Sequence, residues 1–281
     1  MKKTIIGLLM GMAIASGSNA QSNRKHLVQK NTATTESVAL GIKGGFTIPN
    51  IDGGYKNDVW NKDYKSTFGP HFGLFAQIRL NNHWALVPEL NYAGQGVKRT
   101  TIQPLSVPYR LRELFHSTFQ TDKNYAFANV SNELKVNYLQ LPIHLQYQTP
   151  ISRNQKLVAH VQFGPYIGLM LSGNQRVYSE DLHLYLDEKG SLEIPPALVH
   201  QYYGSSIDTN MFAKDDLYRM SYGISGALGL SYQVGRSKLW LELASNYSLR
   251  YIDKDGAQGK KRIGAAMVLL GYSLPLDFGR K

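Results

Sequence analysis

The sequence predicts an all-β fold, an eight-stranded antiparallel up-and-down transmembrane β-barrel with short periplasmic turns and long extracellular loops. Three observations predict it. The 281-residue chain opens with an export signal, then shows eight segments in which apolar and polar residues alternate. Connections between these segments are alternately short and long. Barrels of bacterial outer membranes combine all three features.

The export signal occupies the first twenty residues. Lys2 and Lys3 precede an apolar stretch from 4 to 15, and Ser18-Asn19-Ala20 offers a signal-peptidase site. The stretch is too short to span a bilayer, which takes about 20 residues. The chain has no cysteine, hence no lipid-attachment site and no disulfide. We expect a signal peptide at 1–20, cleavage near Ala20, a flexible periplasmic leader at 21–37 and a barrel domain at 38–281.

The eight alternating segments have the two-residue period of half-buried strands. In the fourth, Leu139 and Leu141 share one face while Gln140 and His144 share the other. Many segments reach the length of about 9–11 residues that a membrane-spanning strand needs. The segments are 38–43, 68–80, 84–95, 138–147, 157–171, 218–232, 239–250 and 263–274.

The connections indicate which end of the barrel faces the cell surface. Those after the second, fourth and sixth segments are short, as at Asn81-Asn82, whereas the longest are 96–133 and 172–216. We therefore expect both termini and the short turns on the periplasmic side. Within the long loops, the sequence predicts a hairpin over 182–194 and a short amphipathic helix. This helix could rest on the outer leaflet, cap the barrel, or dock a partner as a partner-binding loop through Leu111, Leu114, Phe115 and Phe119.

A soluble ligand-binding barrel shows the same alternation with its apolar face inside. Aromatic placement favours the membrane barrel, because most aromatic residues of the apolar face lie near segment ends, as in interfacial girdles. Examples are Trp84, Tyr147, Tyr222 and Tyr232. The membrane assignment requires the apolar face to contact lipid and the polar face to fill the barrel.

The polar face carries charges of both signs, which we expect to pair inside a barrel too narrow for a general pore. A turn centred near 152–153 would also set His144 opposite His160, a geometry compatible with a metal, although hydrogen-bonded histidines are the simpler interpretation. The predicted lumen network comprises Lys43, Arg79, Glu89, His144, His160, Arg219, Glu242 and Arg250.

Four motifs in series resemble those of the Bacteroidetes outer-membrane β-barrel (PorT-like) family. They are Pro88-Glu-Leu-Asn-Tyr92 with Gly94, Asn137-Tyr-Leu-Gln-Leu-Pro142, Phe163-Gly-Pro-Tyr-Ile-Gly168, and Trp240-Leu-Glu-Leu243 with Tyr247. Gln140 stands where that family usually has Glu. The resemblance covers roughly 38–274 and implies an outer-membrane barrel, with a role in type IX protein secretion for the best-known member.

The expected function is that of a non-enzymatic scaffold or interaction protein in the outer membrane of a Gram-negative bacterium. It would act in protein secretion or envelope assembly, without a cofactor. The alternative is an outer-membrane enzyme (lipase, deacylase or protease), but no histidine lies in a nucleophile motif. The net charge of +11 favours lipopolysaccharide phosphates over nucleic acid as the anionic partner. Basic residues at the expected extracellular ends are Lys98, Arg99, Arg110, Arg112, Lys260, Lys261 and Arg262.

Overall fold

The computed structural model describes residues 38–53, 59–60, 63–212, 216–254 and 260–276. The predicted signal peptide 1–20 and leader 21–37 lie outside the described residues. Within the described part, the strands are β1 (Val38–Gly53), β2 (Lys65–Thr67), β3 (Gly69–Arg79), β4 (Trp84–Arg99), β5 (Ile102–Ser106), β6 (Tyr125–Asn129), β7 (Ser131–Pro150), β8 (Leu157–Ser179), β9 (Leu184–Tyr185), β10 (Ile207–Phe212), β11 (Met220–Val234), β12 (Ser237–Ser248) and β13 (Lys261–Pro275). A 3₁₀ helix spans Tyr109–Leu111, and the α-helices are α1 (Arg112–Phe119) and α2 (Pro196–Tyr203).

Eight of these strands close into a ring of antiparallel neighbours. The order is β1-β3-β4-β7-β8-β11-β12-β13, and β13 pairs with β1 to complete it. Short strands β2 and β10 extend the wall beside β4 and β8. The structure confirms the predicted eight-stranded antiparallel barrel, and each predicted segment overlaps one strand of the ring.

Side chains alternate across the wall as the sequence predicts. In β7, Leu141 and Ile143 are 46% and 52% exposed, whereas Gln140 and His144 are buried. Successive side chains of a strand point to opposite faces, so the outer surface is apolar and the inner one polar. Other exposed apolar residues of the wall include Leu40, Ile42, Phe72, Leu74, Phe163, Ile167, Leu228, Leu241, Leu243 and Leu270.

The strands are longer than the alternation predicts. β8 has 23 residues and β7 has 20, about twice the length needed to cross a membrane. Their distal halves continue the sheet beyond the apolar belt into the regions predicted as loops 96–133 and 172–216. Connections at the opposite end stay short, as at 80–83, 151–156 and 235–236.

The wall is interrupted where proline enters a central strand. β3 and β4 pair at Phe75–Glu89 and again at Ile78–Leu86. The two positions between these pairs, one of which is Pro88, are unpaired. Proline lacks the N–H that a ladder bond requires. A shallow apolar depression forms there on the outer surface, between Leu40, Leu74 and Leu90.

Candidate functional site: the barrel lumen and the long-loop cap

A cluster of buried charges occupies the centre of the barrel. The Lys43 ammonium lies 2.7 Å from Glu89 Oε1 and 3.3 Å from Glu242 Oε2, and all three side chains are at least 94% shielded from solvent. These residues come from β1, β4 and β12, so the cluster ties together strands far apart in the ring. One cation shared by two carboxylates keeps each buried charge paired.

Two histidines flank this cluster on different carboxylates. His144 Nδ1 lies 3.3 Å from Glu89 Oε1 and its Nε2 lies 2.7 Å from Ser225 Oγ. His160 Nε2 lies 3.1 Å from Glu242 Oε1. Five of the eight predicted network residues therefore meet at one place.

The predicted facing of His144 and His160 is wrong. Gln148, not His144, pairs with His160, because the turn 151–156 sets the register four residues away from the expected one. In the part of the chain that the structure describes, no group of three or more His, Asp or Glu residues could hold a metal ion.

Three predicted arginines do not join the cluster. Arg219 precedes β11 and is exposed, and Arg79 is half-buried at the last position of β3. Arg250 follows β12, where its guanidinium stacks 3.8 Å over Tyr218. Alternation places all three on the inner face, but two of them lie beyond the ends of the strands and the third at a strand end, where no lumen encloses them.

Amide and aromatic side chains fill the lumen towards the short turns. The Gln77 side chain donates to Gln146 Oε1 at 2.5 Å and Gln146 donates to Gln162 Oε1 at 3.3 Å. Trp240 packs edge-on to Phe75 and His160, with ring centroids 5.3 and 4.9 Å apart. Alternation places these glutamines on the inner face, but their partners depend on strand register.

A small cavity lies beside the charge cluster, lined among others by His71, Asn91 and Asn246. Its volume is about 20 Å³, enough for one water molecule. Both ring nitrogens of His71 and the Oδ1 atoms of Asn91 and Asn246 are buried without a protein partner. A bound water would satisfy such atoms.

An apolar layer fills the barrel on the long-loop side of the charge cluster. It consists of buried side chains from four strands of the wall and from the loops that follow β10 and β12. This plug comprises Val97, Leu134, Val136, Tyr138, Met170, Leu217, Ile252 and Ile263. The plug is hard to predict from the sequence, because its apolar residues occupy inner-face positions where the alternation predicts polar ones.

Above the plug, the long loops fold into a cap with a core of its own. Strands β5, β6 and β9 form a small antiparallel sheet, against which α1 and α2 pack. The predicted helix is confirmed as α1, and the predicted hairpin is confirmed by pairing of Tyr185 with Glu193. The cap core comprises Val107, Phe115, Ala126, Ala128, Val130, Val177, Leu182, Leu184, Ile194 and Val199.

The predicted partner-binding loop mostly belongs to this core. Phe115 is buried, and Leu111 and Phe119 pack against the core, so the helix takes the expected role of capping the barrel and these three side chains face the core. Leu114 remains 47% exposed. It borders an apolar pocket of about 160 Å³ between α1 and α2, whose rim also includes Leu198 and Tyr202.

Ionisable groups of the cap are held by local hydrogen bonds. His183 Nδ1 lies 2.6 Å from Glu193 and its Nε2 lies 3.0 Å from Asp181. The hydrogen bond to Glu193, and to a smaller extent the one to Asp181, raise the pKa of His183 above its usual value. Asp187 accepts bonds from the backbone N–H groups of Ser191 and Leu192, which lower the pKa of its carboxyl.

Some of the basic residues predicted at the extracellular ends bind backbone carbonyls or a carboxylate, and others contact tyrosine side chains. Arg99 is buried and donates to the carbonyls of Val59 and Trp60, and Lys261 pairs with Asp253 at 3.4 Å. Lys98 instead reaches the Tyr178 hydroxyl at 3.0 Å, and Lys260 and Arg262 lie over Tyr251. Arg112 lies over the Tyr109 ring. The side chain of Arg110 lies outside the described set.

The closed ring, its apolar outer surface and its asymmetric connections define a membrane β-barrel with a filled lumen. No described helix has the length and apolarity to cross a bilayer. Residues 19–254 match the family described as outer membrane protein beta-barrel domain. The chain belongs to this family, and its long-loop cap is therefore the extracellular end.

No curated protein matches the sequence significantly. Solved structures with similarity include Ail of Yersinia pestis bound to the heparin analogue sucrose octasulfate, at 12% identity over 85% of this chain and 99% of Ail (TM-score 0.34). Neisserial surface protein A is 11% identical over 85% of this chain and 99% of its own (TM-score 0.36). OprG of Pseudomonas aeruginosa is 14% identical over 85% and 97% (TM-score 0.33).

Proposed function

We propose that this protein is a non-enzymatic interaction protein of the outer membrane, in which the barrel is a plugged anchor and the extracellular cap binds partners. One observation carries the proposal. The lumen side chains pack across the barrel in a charged and an apolar layer, while the cap has its own core of ten buried apolar residues. A transport protein needs an open path, whereas a binding protein needs an ordered extracellular surface.

The rim of the cap pocket is the proposed contact surface for a partner protein. Leu114, Leu198 and Tyr202 are 47%, 37% and 42% exposed around an apolar pocket. Apolar side chains grouped at an exposed rim favour a protein partner that inserts an apolar side chain.

The surroundings of His183 do not have the geometry of a catalytic triad. Both ring nitrogens of His183 face carboxylates, so neither nitrogen is directed at a hydroxyl nucleophile. A lipase, deacylase or protease of the triad type needs one ring nitrogen directed at the nucleophile. The enzymatic alternative predicts hydrolysis of lipid or peptide by the purified, folded protein, and the interaction proposal predicts none.

The four PorT-like motifs support a more specific role within a type IX secretion complex or another envelope-assembly complex. In that role, the partner would be a subunit of the complex. Lipopolysaccharide would be a second partner, through outward basic groups such as Lys98, Lys135 and Arg262 just above the apolar belt. Glutamate at these three positions is expected to lower the lipopolysaccharide that co-purifies with the protein.

Photo-crosslinking in intact cells tests the interaction proposal directly. A photoreactive amino acid at 114 or 202 is expected to capture a defined protein, whereas one at the lipid-facing position 141 captures none. The captured protein identifies the complex. Equal capture from 114 and 141, or large conductance steps in planar bilayers, would contradict the proposal.

A further inference from the structure

A polar cavity separates the plug from the cap. Its volume of about 750 Å³ falls within the range of about 300–1,000 Å³ found for small-ligand pockets. Barrel and cap both line it, through Asn132 of β7, Gln175 of β8 and Tyr125 of β6. Leu134 and Leu217 of the plug lie at its base, so a ligand would enter from outside and would not continue into the lumen.

We call this cavity the vestibule. The charged side chains that line it are balanced in number. Asp122, Asp216 and Asp253 face it together with Arg112, Lys123 and Lys261, which gives three negative and three positive groups and a formal sum of zero. Asp253 and Lys261 already pair at 3.4 Å. A balanced lining offers no excess attraction to a polyanion or a cation, so it favours a neutral ligand that both donates and accepts hydrogen bonds.

Amide groups in the vestibule supply such bonds. Gln175 Nε2 donates to Asn132 Oδ1 at 3.1 Å, which orients both side chains. Among the described contacts, this leaves the Asn132 amino group as a donor and the Gln175 carbonyl oxygen as an acceptor. The exposed Asp216 carboxylate adds a second acceptor. Vicinal hydroxyl groups of a sugar present the complementary pattern.

Aromatic rings supply the second half of saccharide chemistry. Trp60, Tyr64 and Tyr125 are half-buried at the cavity, and Trp60 and Tyr125 meet edge to face at 5.4 Å. Ring faces carry partial negative charge, to which the weakly positive C–H bonds on one side of a pyranose are attracted. Aromatic and hydrogen-bonding groups around one cavity match both faces of a sugar.

We propose that this vestibule binds a short neutral saccharide at the cell surface. The inference rests on the proposed interaction role and names a ligand class for the same extracellular end. Saccharide would contact Tyr125 and Asp216 inside the vestibule, whereas a partner protein would contact the rim formed by Leu114, Leu198 and Tyr202.

The test uses the full chain, folded in detergent, on an array of neutral and sulfated glycans. The neutral glycan that binds best is then titrated by calorimetry. Saturable binding to neutral glycans is expected. Tyr125→Ala is expected to weaken it by about tenfold or more, as for loss of a stacking ring. The matched control Tyr232→Ala, on the outer face of the wall beside the short turns, should leave the affinity unchanged.

Asp216→Asn changes an exposed carboxylate outside the strands and keeps the test valid if Tyr125→Ala disturbs the cap. It is expected to lower affinity for the same glycan. Binding to sulfated glycans alone, no glycan binding, or unchanged affinity in both variants would overturn the proposal. The interaction role fails separately, through loss of crosslinking from position 114, so the two failures are distinguishable.

Discussion

Lys43 is the residue on which the electrostatics of the barrel interior depend. Its ammonium is the shared counter-ion of Glu89 and Glu242, and all three are buried. Removal of one partner from such a group leaves an uncompensated charge where water cannot solvate it. The cluster thus links three strands of the wall through one side chain.

Lys43→Met is expected to lower the free energy of unfolding by about 3–5 kcal/mol, measured by urea titration of the detergent-folded protein. Lys135→Met is the matched control, because Lys135 is exposed and pairs with Glu133 at the surface, a contact worth at most about 1 kcal/mol. The triple variant with Glu89→Gln and Glu242→Gln should recover part of the loss. Equal stability of the two single variants would contradict the cluster's role.

The stability of the cap depends on pH through His183, and the direction of that dependence follows from its pKa. Hydrogen bonds to Glu193 and Asp181 raise the pKa of His183 above about 6.5, its usual value. Folding therefore favours the protonated ring, and this contribution is full below pH 6.5 and lost as pH rises through the raised pKa. We expect the hydrogen-exchange protection factors of β9, which are corrected for the intrinsic pH dependence of exchange, to fall above that pH, with the step absent in His183→Gln. A rise in the protection of β9 above that pH would contradict the stabilising role of protonated His183.

The polar residues show what alternation can predict. Lys43, Glu89 and Glu242 follow from it, because a charge inside a narrow barrel needs a partner. Arg219 and Arg250 do not join them, since a period of two shows the face of a strand but not where the strand ends. The His144–His160 pairing fails for a related reason, because one turn sets the register of the whole hairpin.

Among the strands, close approach of β7 and β8 depends on a glycine. A Cβ atom at Gly164 would collide with the backbone carbonyl oxygen of Ile143. Gly164→Ala is expected to cost about 1–3 kcal/mol, the usual cost of overpacking, and to slow assembly of the folded barrel on heat-modifiability gels. At the outward-facing Gly44 the nearest atom is 3.4 Å away, so Gly44→Ala is the control. Equal behaviour would contradict the close packing.

The elements of the cap were harder to predict than those of the wall. α1 follows from its spacing, but β5, β6 and α2 are absent from the sequence-based prediction. β6 is buried on both faces, with Ala126, Phe127 and Ala128 all enclosed, so it lacks the alternation that reveals a wall strand. A signal for α2 exists in Pro195-Pro196, since proline is favoured at the first turn of a helix.

Considered as a whole, the molecule is layered along the barrel. Glutamines and Trp240 lie nearest the short turns, followed by the Lys43 cluster, the apolar plug, the vestibule and the cap. Eight strands leave an interior just large enough for side chains. The layers explain why both proposed binding surfaces lie at one end of the barrel. They depend on the apolar side of every wall strand facing lipid.

Spin labelling along β7 tests that orientation most directly. Because the chain has no cysteine, single cysteines at positions 139 to 147 can each be labelled alone in lipid bilayers. We predict high accessibility to oxygen and low accessibility to a nickel chelate at 139, 141, 143, 145 and 147. At 140, 144 and 146, accessibility to both should be low. The opposite phase, with the even positions exposed to oxygen and the odd ones shielded, would contradict the account.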